Sequence, residues 1–183
     1  MPGQVHRLFF ALRPDTLVAD RIARAVAAVN AEGSVRGRSV KPSKHHLTVQ
    51  FLGTHDGQPA RIIEQARVAA ARVRLAAFDL VLDRIDTFGG HRRAPCVLRC
   101  TADSDASVQT LRRVLGEALV AEGLAHLLED RFTPHVTIGY AERQLPAPIA
   151  IAPITWRVRE FALIESHGAE ASHVLLDRWS LLY

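Results

Sequence analysis

Two tetrapeptides in this chain share one pattern, His-apolar-Thr-apolar: His46-Leu47-Thr48-Val49 and His135-Val136-Thr137-Ile138. Side chains of an extended strand alternate between its faces, so His46, Thr48 and Gln50 stand on one side and Leu47, Val49 and Phe51 on the other. In the second copy His135, Thr137 and Gly139 oppose Val136, Ile138 and Tyr140 in the same way. Each copy then presents an imidazole and a hydroxyl about 7 Å apart, two residues at ~3.4 Å each.

If the two polar faces meet, two imidazoles and two hydroxyls share one cleft. Cleavage of a phosphodiester needs donors for the non-bridging oxygens, one proton removed from the attacking oxygen and one delivered to the leaving oxygen. Thr48 and Thr137 are neutral donors of the required kind. Histidine, with a reference pKa of ~6.5, supplies a base and an acid near neutrality. No metal is called for, because neither copy carries a further His or carboxylate two or four residues on to complete a ligand set. A single His-x-Thr in a strand is ordinarily structural, and the repetition is what lends weight here. His45 points to the opposite face from His46, and His55, His91, His126, His167 and His173 have no repeated context and read as loop or surface residues.

The surrounding elements repeat as well. Residues 7–12 form a short apolar strand, and Pro14-Asp15 opens a helix with Leu17, Val18, Ile22, Val26 and Val29 at helical spacing. A loop over 30–43 precedes the first motif strand. Pro59 starts a second helix with Ile62, Ile63, Ala66, Ala69, Ala70 and Val73 on its stripe, and 78–88 reads as a strand. A strand at 97–100 follows, and Asp103-Ser104-Asp105 offers N-cap chemistry for a helix carrying Val108, Leu111, Leu115 and Leu119. The segments 154–164 and 172–182 complete the chain as strands. From His46 to His135 is 89 residues, and the same displacement carries Leu8 onto Val97 and Pro14-Asp15 onto Asp103-Ser104. The spacing predicts one domain over 1–183 made of two pseudo-symmetric lobes, about 1–90 and 91–183. They diverge after Gly53, whose following helix has no counterpart in the Pro-rich stretch 145–153.

Composition sets the outer bounds. With 48% hydrophobic and 23% charged residues in 183, the chain can bury a core, and no apolar run approaches the ~20 residues of a bilayer span. The first residues show no secretory pattern, so a cytoplasmic location and no membrane association are expected. Cys96 and Cys100 share a strand face too far apart to bridge and read as reduced thiols. The net charge is +4, and only Lys41 and Lys44 are lysines among the 23 basic residues. Arginine suits phosphate recognition. Arg36, Arg38, Lys41 and Lys44 in the loop before the first motif could steer an RNA strand, and a merely solvated basic loop fits them equally.

The chain resembles the two-histidine phosphoesterase superfamily, and within it the bacterial and archaeal RNA 2′,3′-cyclic phosphodiesterases historically called 2′-5′ RNA ligases. The resemblance rests on Arg7-Leu8-Phe9-Phe10-Ala11-Leu12, His46 to Gly53, Phe132-Thr133-Pro134-His135-Val136-Thr137-Ile138-Gly139 and Phe161-Ala162-Leu163-Ile164-Glu165-Ser166. It implies an α+β fold, two pseudo-symmetric lobes of antiparallel sheet with outer helices around a central V-shaped cleft. It further implies hydrolysis of RNA or nucleoside 2′,3′-cyclic phosphates to 2′-phosphomonoesters, with no cofactor and no metal. On that likeness His46 and His135 form the acid/base pair, and Thr48 and Thr137 hold the phosphate. The first histidine would lie near the leaving 3′-oxygen and the second near the attacking water. The expected partners are RNA 2′,3′-cyclic phosphate ends or cyclic nucleotides, and the expected state is a monomer. Two rival readings are reversible 2′-5′ ligation as the main activity, and a nucleotide- or RNA-binding module without catalysis.

The sequence departs from the family pattern at two points. Many members carry Arg two positions past the second motif, where this chain has Tyr140, so phosphate contact could pass to Arg131, Arg143 or Arg7, or to the Tyr140 hydroxyl. A common Trp in the strand after Pro95 is replaced by Arg99. Strict alternation assigns Phe51 and Tyr140 to the apolar face, where core packing is the favoured role. Either could reach a base only if the alternation breaks near the cleft.

Overall fold

The computed structural model describes residues 5–31, 37–89, 93–167 and 173–182, and Arg36 and His91 lie outside them. Strand β1 (Val5–Leu12) leads into helix α1 (Thr16–Ala31), whose first turn is capped by Asp15: its carboxylate accepts from the Val18 amide at 2.8 Å. After β2 (Gly37–Ser39) comes β3 (Leu47–Asp56), which carries the first Thr, and then α2 (Ala60–Ala70) and β4 (Phe78–Thr87). The second half supplies β5 (Ala94–Cys100), α3 (Ala102–Ala121), β6 (His135–Ala141), β7 (Ile149–Val158), β8 (Glu160–His167) and β9 (His173–Ser180). The N-cap of α3 is Thr101, whose hydroxyl accepts from the Ser104 amide. Asp103 and Asp105 instead sit in the first turn, where a negative charge favours the helix dipole.

The strands form one antiparallel sheet in the order β7-β4-β5-β6-β3-β1-β8-β9, with β2 added beside β6. All three helices lie against one face. Val18 and Ile22 of α1, Ala66 and Ala69 of α2, and Leu111 and Leu115 of α3 share a buried core with Leu8, Phe10, Leu47, Leu98 and Val136. On the opposite face lies a small apolar patch of Phe9, Ala11, Ala162 and Ile164 with Phe51 against it. Cys96 and Cys100 are both buried on the helix side, unbridged.

Strand pairing does not divide the chain near residue 90. The first-half strand β4 pairs with β5 and β7, whereas the second-half strands β8 and β9 extend the sheet beyond β1. The lobes are therefore interleaved, each completed by a strand from the other half. The segment read as a single strand over 154–164 breaks at Arg159, where the chain leaves β7 at one edge and joins β8 in the other arm. The end of β9 returns to the same region: Leu181 donates to the Arg159 carbonyl at 2.7 Å, and Leu182 and Ala77 link the end of the chain to the approach to β4.

Both motif strands contain a bulge, and the two bulges are equivalent. Ala11 faces Thr48 but Phe10 faces Gln50, so Val49 is the extra residue. Val97 faces Thr137 but Cys96 faces Gly139, so Ile138 is the extra residue, again 89 positions on. A bulge advances the side-chain alternation by one. Phe51, opposite Phe9, joins the polar face, and Tyr140, opposite Pro95 and Arg38, does the same, while Gln50 turns away and is buried. The apolar-face assignment of Phe51 and Tyr140 is thereby corrected. A hydrophobicity pattern of period two has no means of registering one inserted residue.

Candidate active site

The site grows from a single contact between the motif strands. The pairing of β3 with β6 consists of Leu47 opposite Val136, both fully buried on the helix side. These two residues are also equivalent under the 89-residue displacement, so the local two-fold axis passes through their pair. His46 and Thr48 flank Leu47 in sequence, and His135 and Thr137 flank Val136, so strand alternation puts all four on the helix-free face.

Each ring is fixed in the same manner. Nδ1 of His46 donates to the Lys44 carbonyl at 2.8 Å, and Nδ1 of His135 donates to the Thr133 carbonyl at 2.7 Å. In both cases the acceptor lies two residues back, and the acceptors are themselves 89 apart. A carbonyl oxygen can only accept, so this bond places the proton on Nδ1 and leaves Nε2 to act as base when neutral or as acid when protonated. The ring of His46 stacks on Phe9 at 5.1 Å and meets His173 edge-on at 4.9 Å. The ring of His135 meets Phe88 edge-on at 4.8 Å, and the Arg99 guanidinium lies over that phenyl at 5.8 Å.

Burial holds both imidazoles toward the neutral form. His46 is lowered to about 4, first by desolvation and then by the nearby charges of His173, His135 and His45, against the support of its bond to Lys44. His135 is lowered by desolvation and by Arg99, against its bond to Thr133.

Beside the motifs lies a hollow of about 320 Å³ bordered by Thr48, Phe51, Phe88, Arg112, Arg131 and His135. That volume lies within the range of small-molecule sites. Arg131 is exposed at its rim, and Arg112 lies across Phe132 at 4.5 Å while donating to the Glu129 carbonyl. Tyr140, 43% exposed, stands on the same sheet face farther along β6. Arg143 is exposed in the segment after β6 and does not border the hollow.

Several contributors are not legible in the motifs. His173, read from sequence as a loop or surface residue, opens β9 and packs on both His46 and Phe9. Phe9, Phe88 and Arg112 reach the site only through strand pairing and the placement of α3. The apolar β1 run with a phenylalanine at each parity is the one signal that could have marked Phe9. The reading of His167 is likewise corrected: it ends β8 with its Nε2 3.1 Å from the buried Glu165 carboxylate. His55 lies within β3, and His126 is exposed in a short turn.

Comparison with known proteins adds an independent line. The profile of the 2′-5′ RNA ligase superfamily matches residues 14–170. Crystal structures of Escherichia coli LigT, in apo form and complexed with 3′-AMP, superpose with a TM-score of 0.74 at 24% and 23% identity, covering 99% of this chain and 100% of theirs. The protein TT0787 of Thermus thermophilus superposes with a TM-score of 0.69 at 23% identity, covering 95% of this chain and 97% of its own. No curated protein matches the chain in sequence. Among the described residues, no helix is long and apolar enough to cross a membrane. With residues 14–170 under one profile and the fold matched end to end, the chain belongs to the 2′-5′ RNA ligase superfamily of two-histidine phosphoesterases.

Proposed function

We propose that this protein hydrolyses RNA or nucleoside 2′,3′-cyclic phosphates to 2′-phosphomonoesters, with His46 and His135 as the proton-transfer pair and Thr48 and Thr137 as phosphate donors. The observation that carries the reading is the two-fold relation of two imidazoles, each locked through Nδ1 to a backbone carbonyl two residues back, with Nε2 left for chemistry. A cyclic phosphate seated between them presents phosphorus to a water on one side and its 3′-oxygen on the other. One imidazole takes the proton of the water as its oxygen bonds to phosphorus. The other gives a proton to the 3′-oxygen as the P–O3′ bond breaks. The net reaction consumes one water and returns each ring to its starting state after proton exchange with solvent. Such transfers contribute about 10²–10⁴-fold each.

The Thr hydroxyls are neutral, so they can hold the anionic phosphate without lowering the imidazole pKa values further. The phosphate charge itself favours the imidazolium form, opposing the desolvation that holds the free rings neutral. The neighbouring hollow, with Phe51 and Phe88 for stacking and Arg131 for charge, suits the nucleoside. Structures of E. coli LigT complexed with 3′-AMP and with ATP support an occupant of that size.

The decisive assay incubates the purified protein with 2′,3′-cyclic nucleotides in excess EDTA and identifies the product by phosphorus NMR. Formation of the 2′-phosphate is expected. Nucleotide binding without turnover would instead favour a binding module, and joining of a cyclic end to a 5′-hydroxyl at rates above hydrolysis would favour ligation.

A further inference from the structure

A second cluster of chemistry-bearing side chains lies on the other face of the sheet and at the other end of its strands. His6 is in phase with the core residues Leu8 and Phe10 of β1, whereas Phe9, in the opposite phase, stacks on His46. His6 faces His167 across the β1–β8 pairing, and Glu165 lies two residues before His167, hence on the same face. His6 and Glu165 are 8% and 3% exposed. Nδ1 of His6 lies 2.7 Å from one oxygen of Glu165, and Nε2 of His167 lies 3.1 Å from the other. The two rings meet at 64° with centroids 4.7 Å apart, and one ligand atom from each of the three residues falls within 4.8 Å of the others.

From this convergence of two imidazole nitrogens and a carboxylate on one buried point, we propose that His6, Glu165 and His167 bind one divalent transition-metal ion of the zinc class. A buried carboxylate requires compensating charge. Among the described residues, the ion-pair partners of Glu165 are these two imidazoles. A divalent cation neutralises the carboxylate while taking the lone pairs of two neutral rings, each of which moves its proton to the far ring nitrogen. Two nitrogens and one oxygen match zinc preference, and three protein ligands leave the fourth position for water. Ligand atoms of a tetrahedral zinc site are roughly 3.3 Å apart. The nitrogen-to-carboxylate separations of 2.7 and 3.1 Å, one to each oxygen of Glu165, are shorter than that value, and the spread of up to 4.8 Å among the three ligand atoms brackets it. His55 faces His6 from β3, but its Nε2 lies 2.9 Å from the Leu52 carbonyl and is committed there.

The ion would clamp β1 to β8, the strand that the second half contributes to the first arm. It has no part in the hydrolytic reaction, whose residues occupy the opposite face.

The test titrates the full-length, EDTA-stripped protein with Zn²⁺ by calorimetry and with Co²⁺ by visible spectroscopy, alongside Glu165→Gln, His167→Ala and His46→Ala. One ion per chain is expected for the wild type and for His46→Ala. The affinity should fall more than about 100-fold in Glu165→Gln and His167→Ala, and the d–d bands of four-coordinate Co²⁺ should vanish. Zn²⁺ should raise the Tm of the wild type and leave that of His167→Ala unchanged. His6→Gln, which keeps an amide against Glu165, replaces His167→Ala if circular dichroism shows the latter unfolded. Absence of saturable uptake by the wild type overturns the proposal, as does uptake lost in His46→Ala but retained in His167→Ala.

Discussion

Leu47 and Val136 are paired directly across the seam between β3 and β6, and each is the other's equivalent under the internal repeat. A two-fold axis through that pair relates His46 to His135 and Thr48 to Thr137. The proposed chemistry needs two like groups on opposite sides of one phosphorus, and draws them from the two repeats where the arms of the sheet join.

Single replacement of either histidine should be severe. His46→Ala and His135→Ala are each expected to lower kcat on a 2′,3′-cyclic nucleotide by about 10²–10⁴-fold, as each removes one of two proton transfers. The double variant should lose less than the product of the two, because residues that act as a unit are not additive. Thr48→Ala and Thr137→Ala should each cost about 1–3 kcal/mol of transition-state binding, the usual loss of a hydrogen bond to a charged group. Initial rates across substrate concentration check all four, and a near-wild-type His135→Ala would refute the shared site.

The pH profile follows from the depressed imidazoles. The limbs of a bell in kcat/KM report the free enzyme, and both histidines titrate below 6.5 there, His46 at about 4. The optimum of kcat/KM should therefore lie on the acid side of 6.5. In kcat, which reports the complex, the bell should move upward, because the bound phosphate favours the imidazolium. Arg99 lowers His135, so Arg99→Gln should shift the His135 limb toward higher pH.

Folding stability carries the same signature. His45, His46, His135 and His173 are all lowered, each with desolvation as the leading cause. In the unfolded chain they bind protons as pH falls through 6.5, while the folded chain resists until lower pH. Protonation thus favours the unfolded state throughout the interval. Stability should hold above 6.5 and decline steadily from there toward pH 4, as urea midpoints at stepped pH would show.

The bulged strands should act on substrate affinity. Phe51→Ala is expected to raise KM for a cyclic nucleotide with a smaller effect on kcat, by an amount consistent with about 1–3 kcal/mol for one stacked base. Arg131→Ala should raise KM more at low salt than at high salt, since an exposed charge is screened. Full kinetic curves at two ionic strengths separate these effects.

The pattern His-apolar-Thr-apolar and its 89-residue echo made the motif strands, the shared face of each His and Thr, and the first and third helices legible from sequence, but not the turn of Gln50 and Gly139 away from that face. Those features are local, set by periodicity and capping. The exchange of β4 and β8 between arms was not legible, because each half reads as the same run of elements whichever neighbour its later strand chooses. The faces of Phe51 and Tyr140 were lost to one extra residue ahead of each, Val49 and Ile138. His173 and Phe9 flank His46 only because β1 lies between β3 and β8 with β9 beyond, a spatial order that no spacing along the chain encodes.

The exchanged strands also constrain how the molecule can come into being. An arm built from β3 and β1 lacks its outer layer until residues 160–180 have left the ribosome, so the first ninety residues have no complete unit to settle into during synthesis. Pairing partners more than 150 residues apart, such as His6 and His167, make assembly slow, since long loops must close before their contacts reward it. Gene fragments cut between the repeats should yield insoluble halves that recover the fold only when refolded together.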